Sequence, residues 1–170
     1  MARNIEIKAR IDSVQALLPV AAALADAPEP VVIRQDDTFF TCTNGRLKLR
    51  QFDDQRGELI HYHRPDAEGP KLSDYLVVPT DQPALLRDAL ARAWGTAGRV
   101  RKQRLLLMAG ATRIHLDVVE GLGHFLELEV VLRDEQTEAE GEAIAQRLLQ
   151  QLGIGPQQWL SGAYVDLLRA

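Results

Sequence analysis

The chain has 170 residues, 26% charged and 46% hydrophobic, with 12 Gly and 8 Pro; that is a globular composition, and it excludes wholesale disorder, collagen and a coiled coil. A formal charge of −4 argues against a general nucleic-acid or membrane-surface binder, which carries a basic excess. The lone Cys42 forms no internal disulfide, the apolar run 17–25 is too short to span a bilayer, and Arg3, Glu6 and Lys8 stand where a secretory signal would be apolar. One cytoplasmic domain, residues 1–170, is the expectation.

Residues 3–12 alternate apolar and polar, the period of a strand. Asp12 or Ser13 caps a helix running to about residue 26, and Pro19 inside it predicts a kink or a shortening. Residues 31–43 read as a second strand, and Asn44-Gly45 turns the chain into a third, 46–53. A hairpin at 53–57 leads to a fourth strand, 58–64, and a fifth follows at 71–78. The pattern over 81–95 is helical, with Gly95 as its stop. Three long strands come next, 98–109, 111–120 and 124–133, turned at Gly110 and at Gly121 to Gly123. An acidic helix, 137–152, ends at Gly153 and Gly155, and a last short helix covers 159–168. Asp134, Glu135, Glu138, Glu140 and Glu142 read as solvated surface, His124 as surface, and Trp94 and Trp159 as packing anchors. About eight antiparallel strands with a few helices predict an α+β chain whose sheet curls or closes.

The strands carry charge in rows of period two. Asn4, Glu6, Lys8 and Arg10 share one face, opposite Ile5, Ile7, Ala9 and Ile11. Arg46, Lys48 and Arg50 line up likewise, as do Lys102 with Arg104, Arg113 with His115 and Asp117, and Glu127 with Glu129. A polar face is ordinarily the solvated side of a sheet, but like charges adjacent on one face repel unless an anion sits between them. Curled so that the rows face a common interior, the sheet makes a polar tunnel with its apolar rows turned outward onto helices. Its cations suit a polyphosphate, and its carboxylates suit a divalent ion between themselves and the phosphates. There is no zinc spacing of His and Cys and no glycine-rich phosphate loop. His115 is a candidate ligand contact in its row; His61 and His63 fit a wall or a solvent face better than a metal pair. Asp36-Asp37 offers carboxylates whose place near a strand end fits a structural role.

These residues resemble the CYTH superfamily, the triphosphate tunnel metalloenzymes. Residues 4–8, Asn-Ile-Glu-Ile-Lys, resemble its ExExK signature; 35–40 its Asp-Thr-Tyr-Phe strand; 46–50 its alternating basic strand; 100–104 its Lys-x-Arg strand. Residues 114–117 and 122–129 resemble its closing hairpin with paired carboxylates, and Tyr164 before Leu167-Leu168 is similar to the class IV adenylyl cyclases. The resemblance implies an eight-stranded antiparallel β-barrel with helices packed outside, Mg²⁺ or Mn²⁺, and a nucleoside triphosphate, inorganic triphosphate or other triphosphate as substrate. Carried over by position, Glu6, Asp117, Glu127 and Glu129 would hold metal. Lys8, Arg46, Lys48, Arg50, Arg64, Lys71, Lys102, Arg104 and Arg113 would hold phosphates, with Glu6 and Lys8 catalytic. Asn4 departs from the pattern by replacing the first Glu, and Ser73 or Tyr75 stands where a further acid is expected. Cyclase, triphosphatase and non-catalytic polyphosphate or nucleotide binding all remain open on these residues. No membrane or nucleic-acid partner is expected, and a homodimer is compatible with the sequence.

Overall fold

The computed structural model describes residues 2–169. Its strands in chain order are β1 (Ala2–Arg10), β2 (Val31–Phe40), β3 (Arg46–Gln51), β4 (Gly57–His63), β5 (Lys71–Thr80), β6 (Thr96–Ala109), β7 (Thr112–Val119), β8 (Gly123–Val131) and the two-residue β9 (Trp159–Leu160). The helices are α1 (Val14–Leu24), α2 (Pro83–Trp94), α3 (Glu138–Gln151) and α4 (Tyr164–Arg169). Neighbouring strands run β5-β4-β3-β2-β6-β7-β8-β1, and β1 pairs back onto β5, closing an eight-stranded antiparallel barrel. Closure uses only Ala2 to Glu6 of β1; β9 then continues the seam, pairing with Lys8 and Ala9.

Alternation along each strand sorts the side chains between two environments. The outward row of β1, with Ile5, Ile7 and Ala9, is buried although it points away from the barrel, because α1 and α3 cover it. Burying each such Ile or Leu contributes roughly 1.5–3 kcal/mol, and the helices are where this barrel finds its main core. A Cβ on Gly141 of α3 would lie 2.6 Å from Ile5 and from Leu132, so the bare glycine lets α3 settle directly onto β1. On the other side, Leu86 and Leu90 of α2 pack on Phe40, Leu47 and Leu49.

Helix α1 begins at the expected cap, with Ser13 Oγ accepting from the Ala16 N–H at 3.2 Å. It runs unbroken past Pro19, whose exposed position leaves the unpaired backbone carbonyl one turn earlier on the watery side. Helix α3 has a capping box between Thr137 and Glu140, and the acidic residues around it are exposed. Three expectations need correction. The segment expected as one helix over 159–168 is strand β9, a turn at Gly162 with φ 75°, and α4. Trp94 is 57% exposed, outside the core clusters. His124 is half-buried, and its Nδ1 accepts the Val14 N–H at 3.0 Å, capping the start of α1.

Candidate active site

The inward rows converge on one cavity of about 440 Å³. Its wall has two halves of different chemistry. From β2, β3 and β6 come Asp37, Lys48, Arg50, Lys102 and Arg104; from β1, β7 and β8 come Asn4, Glu6, Lys8, Arg113, His115, Glu127 and Glu129. Arg64 reaches in from the end of β4.

Asp37 organises the first half. It is 1% exposed and accepts from Lys48 Nζ at 3.0 Å, from Arg50 Nε and Nη2 at 2.9 and 2.8 Å, and from Lys102 Nζ at 3.4 Å. Burial alone would raise this carboxyl, but Arg50, Lys102 and Lys48 hold it well below the usual carboxylate range. One carboxylate thus keeps three cations together. Lys102 carries the strain of the arrangement: burial, opposed by Asp37 but reinforced by Arg50 and Arg104, pushes its ammonium down to about 7.

Arg104 bridges the halves. Its Nε and Nη2 donate to Asp117 at 2.8 and 2.7 Å, and Nη2 also donates to Glu127 Oε1 at 3.2 Å. Lys8 Nζ sits 3.5 Å from Glu127 and 3.9 Å from the centre of the Tyr164 ring; burial lowers its pKa to about 8. Against the effect of burial, Lys8, His115 and Arg104 keep the Glu127 carboxyl well below its ordinary value. Glu6 behaves in the opposite way. Burial, with Glu129 and Glu127 close by, pushes it up to about 7 even though Arg64 Nη1 donates to it at 3.1 Å. Arg113 Nη1 donates to Glu129 at 3.1 Å.

His115, Glu127 and Glu129 offer three ligand atoms all within 4.8 Å of one another, the one such group among the described residues. Glu6, paired with Arg64, is not part of it. Nearby on the cavity wall, Asn4 is 2% exposed and its Oδ1 has no hydrogen-bond partner. A mixed oxygen and nitrogen donor set with an orphaned amide oxygen fits a divalent cation.

The cavity is a cup. At one end Phe39, Tyr62, Val100, Val119 and Phe125 pack with Ala163, Tyr164 and Val165, so the C-terminal segment forms the floor. Tyr164 Oη donates to Asp117 at 2.8 Å, and Asp166 binds Arg46 at 2.7 Å. At the other end, where β2 starts and β3, β5 and β6 finish, Ile33, Phe52, Val77 and Leu106 line the cavity and are half-buried or exposed.

Of the residues expected in the site, Glu6, Lys8, Lys48, Arg50, Arg64, Lys102, Arg104, Arg113, Glu127 and Glu129 line the cavity. Three others lie off its wall. Asp117, 0% exposed, stands behind Arg104 and Tyr164 as their anchor instead of facing the cavity. Arg46 is turned to Asp166 and Asp66 at the floor. Lys71 donates to the Ala67 carbonyl at 2.6 Å. Sequence reasoning passed over Asp37, because Asp36-Asp37 does not say which carboxylate points inward. Asp36 faces out, to Arg99 and Arg101. His61 also sits outside the cavity lining, with its ring bonded to the Asn44 carbonyl.

Comparison with known proteins decides the family: the CYTH domain matches over residues 2–164. The chain belongs to the CYTH family. Among solved structures, this CYTH barrel resembles the PH1012 protein of Pyrococcus horikoshii OT3 (TM-score 0.83, 20% identity, 97% of this chain and 99% of that one). It also resembles HpAC1 of Hippeastrum, named as an adenylyl cyclase and described by a dominant triphosphatase activity (TM-score 0.68, 16% identity, 99% and 95%). A third is the Pct1 RNA triphosphatase of Schizosaccharomyces pombe (TM-score 0.53, 15% identity, 89% and 83%). At these identities the likeness is one of fold. No curated protein matches the sequence.

Proposed function

We propose that this CYTH protein is a divalent-metal-dependent triphosphatase acting on a nucleoside triphosphate or another organic triphosphate. The observation that carries the reading is the cup itself: a cationic half facing a carboxylate half across one buried space, closed at its floor. In this reading Lys48, Arg50, Lys102 and Arg104 bind the phosphate oxygens, and Arg64 and Arg113 hold the edges. Glu127 and Glu129, with Glu6 beside them, would hold a Mg²⁺ or Mn²⁺ ion, which would draw charge from the phosphates and lower the pKa of attacking water. Glu6, across from Glu129 on the inward face of β1, is placed to accept that water's proton. Lys8, lowered to about 8, offsets the charge that develops on the transferred phosphoryl group. Water adds to the terminal phosphorus, the bridging P–O bond breaks, and the electron pair leaves on the diphosphate. The apolar end at Ile33, Phe52, Val77 and Leu106 accommodates the organic group. In a cytoplasmic setting such substrates are at hand.

That apolar end also favours a second reading, in which a ribose held there attacks its own α-phosphorus and diphosphate leaves, as in a cyclase. A product-resolved assay separates the two. ATP, tripolyphosphate and thiamine triphosphate are incubated with Mg²⁺ or Mn²⁺ and the products followed by ³¹P NMR. Orthophosphate release supports hydrolysis, cyclic nucleotide with diphosphate supports cyclisation, and tight binding without turnover makes the protein a binder.

A further inference from the structure

We propose that His115 is a metal ligand, making with Glu127 and Glu129 a mixed nitrogen–oxygen site that takes a first-row transition ion such as Mn²⁺ in preference to Mg²⁺. This rests on the metal-dependent reading above and goes beyond it, because that reading places only carboxylates on the metal.

His115 is 3% exposed and sits directly across from Glu127 in the β7–β8 pairing. Its Nδ1 is hydrogen-bonded to Glu127 Oε1 at 3.3 Å, a contact that an ion between the two would replace. Ligands at right angles on an ion with bonds of about 2.1 Å stand roughly 3 Å apart, so the two atoms already have the spacing of neighbouring ligands. Glu129, two residues on, brings its carboxylate to within 4.8 Å of both. An independent sign comes from β1, where the buried Asn4 Oδ1 has no partner and lines the same cavity. Asn4 is one step along the inward row from Glu6, which pairs directly with Glu129. A neutral amide oxygen in that place suits a cation whose charge is already met by two carboxylates.

The chemistry of the set sorts among metals. Mg²⁺ is hard, demands near-octahedral oxygen ligation and sheds water reluctantly. An imidazole nitrogen gives it little, whereas affinity for nitrogen-bearing sites rises through the first-row ions from Mn²⁺ upward. The replacement of a carboxylate by Asn4 and the use of His115 shift the site the same way: less negative charge, more borderline character. Phosphate assists, because Lys8 and Arg104 now bound to Glu127 can turn to phosphate oxygens and leave that carboxylate to the ion.

The direct test is pulsed EPR on the wild-type protein with Mn²⁺ and a methylene-bridged triphosphate, which contains no nitrogen and resists hydrolysis. The expected spectrum shows ¹⁴N modulation of a directly bound imidazole that changes on ¹⁵N-histidine labelling. His115→Gln removes it, weakens Mn²⁺ at least tenfold by titration, and moves the Mg²⁺ affinity less than threefold; His61, His63 and His124, outside the cavity lining, serve as internal controls. If Mn²⁺ binds without imidazole modulation while Glu129→Gln abolishes binding, His115 is no ligand and the inference falls, yet the carboxylate metal site stands. If neither Mn²⁺ nor Mg²⁺ binds at millimolar concentration with or without the triphosphate, both fall.

Discussion

The two halves of the cavity handle buried charge differently. On β2, β3 and β6 a single carboxylate, Asp37, holds Lys48, Arg50 and Lys102. On β1 and β8 three carboxylates are each held by a cation of their own, Glu6 by Arg64, Glu127 by Lys8 and Arg104, Glu129 by Arg113. The first half has cations to spare for an incoming polyanion; in the second, each carboxylate is already paired and is freed for a divalent ion only if its cation turns to phosphate. In the proposed reading a metal–triphosphate complex complements both at once.

The contrast can be broken from either side. The largest effect is expected on the carboxylate half, where Glu127→Gln or Glu129→Gln should lower metal-dependent turnover at least 1000-fold, about 4 kcal/mol of transition-state stabilisation, as measured by phosphate release. Asn4→Glu should sharpen the same half by tightening the Mg²⁺ dependence of turnover. On the cationic half, Asp37→Asn strands the buried Lys102 and the half-buried Lys48 and Arg50, and should cost about 3–5 kcal/mol of stability in urea unfolding. Tripolyphosphate should then stabilise the variant more than the wild type, since it supplies the missing negative charge.

A pH series tests the halves separately. Glu6, raised from 4.5 to about 7, contributes stability that is present below 4.5 and lost as the pH rises through 7. Lys8 and Lys102, lowered from 10.5 to about 8 and about 7, contribute stability that is present above 10.5 and lost as the pH falls through those values. Relative to the other titrating groups, the metal-free protein should therefore pass through a shallow minimum of stability near pH 7–8. Glu6→Gln should flatten only the acid limb of the melting profile.

The smallest effect belongs to the floor. Arg46 and Asp166 are partly exposed, so Asp166→Asn should cost no more than about 1 kcal/mol. Arg46→Ala should raise the KM for triphosphate less than Arg50→Ala does; an equal rise would return Arg46 to the phosphate-binding set.

The barrel was legible in the sequence because period two sorts side chains by face, and rows such as Arg46-x-Lys48-x-Arg50 are too uniform in sign for a solvent surface. What the rows could not convey was depth along the barrel. Arg46, Lys48 and Arg50 share a face, yet only the last two line the cavity, because β3 starts at the floor where α4 covers its first residue. Asp117 belongs to a charged row but meets Arg104 and Tyr164 from behind. Position along the axis depends on how eight strands are staggered, which is a property of closure and not of any one strand. The C-terminal plug was hidden for a related reason. Residues 159–168 have a helical composition, but the gap beside Lys8 and Ala9 on β1 draws Trp159 and Leu160 into the sheet.

The claim that the halves divide phosphate and metal between them is tested most directly by thermal melting with tripolyphosphate, in EDTA and then with Mn²⁺. The account predicts a rise in melting temperature in EDTA that Arg50→Ala diminishes, and a further rise with Mn²⁺ that Glu129→Gln removes while the first persists. A melting curve unmoved by millimolar tripolyphosphate under both conditions would contradict it.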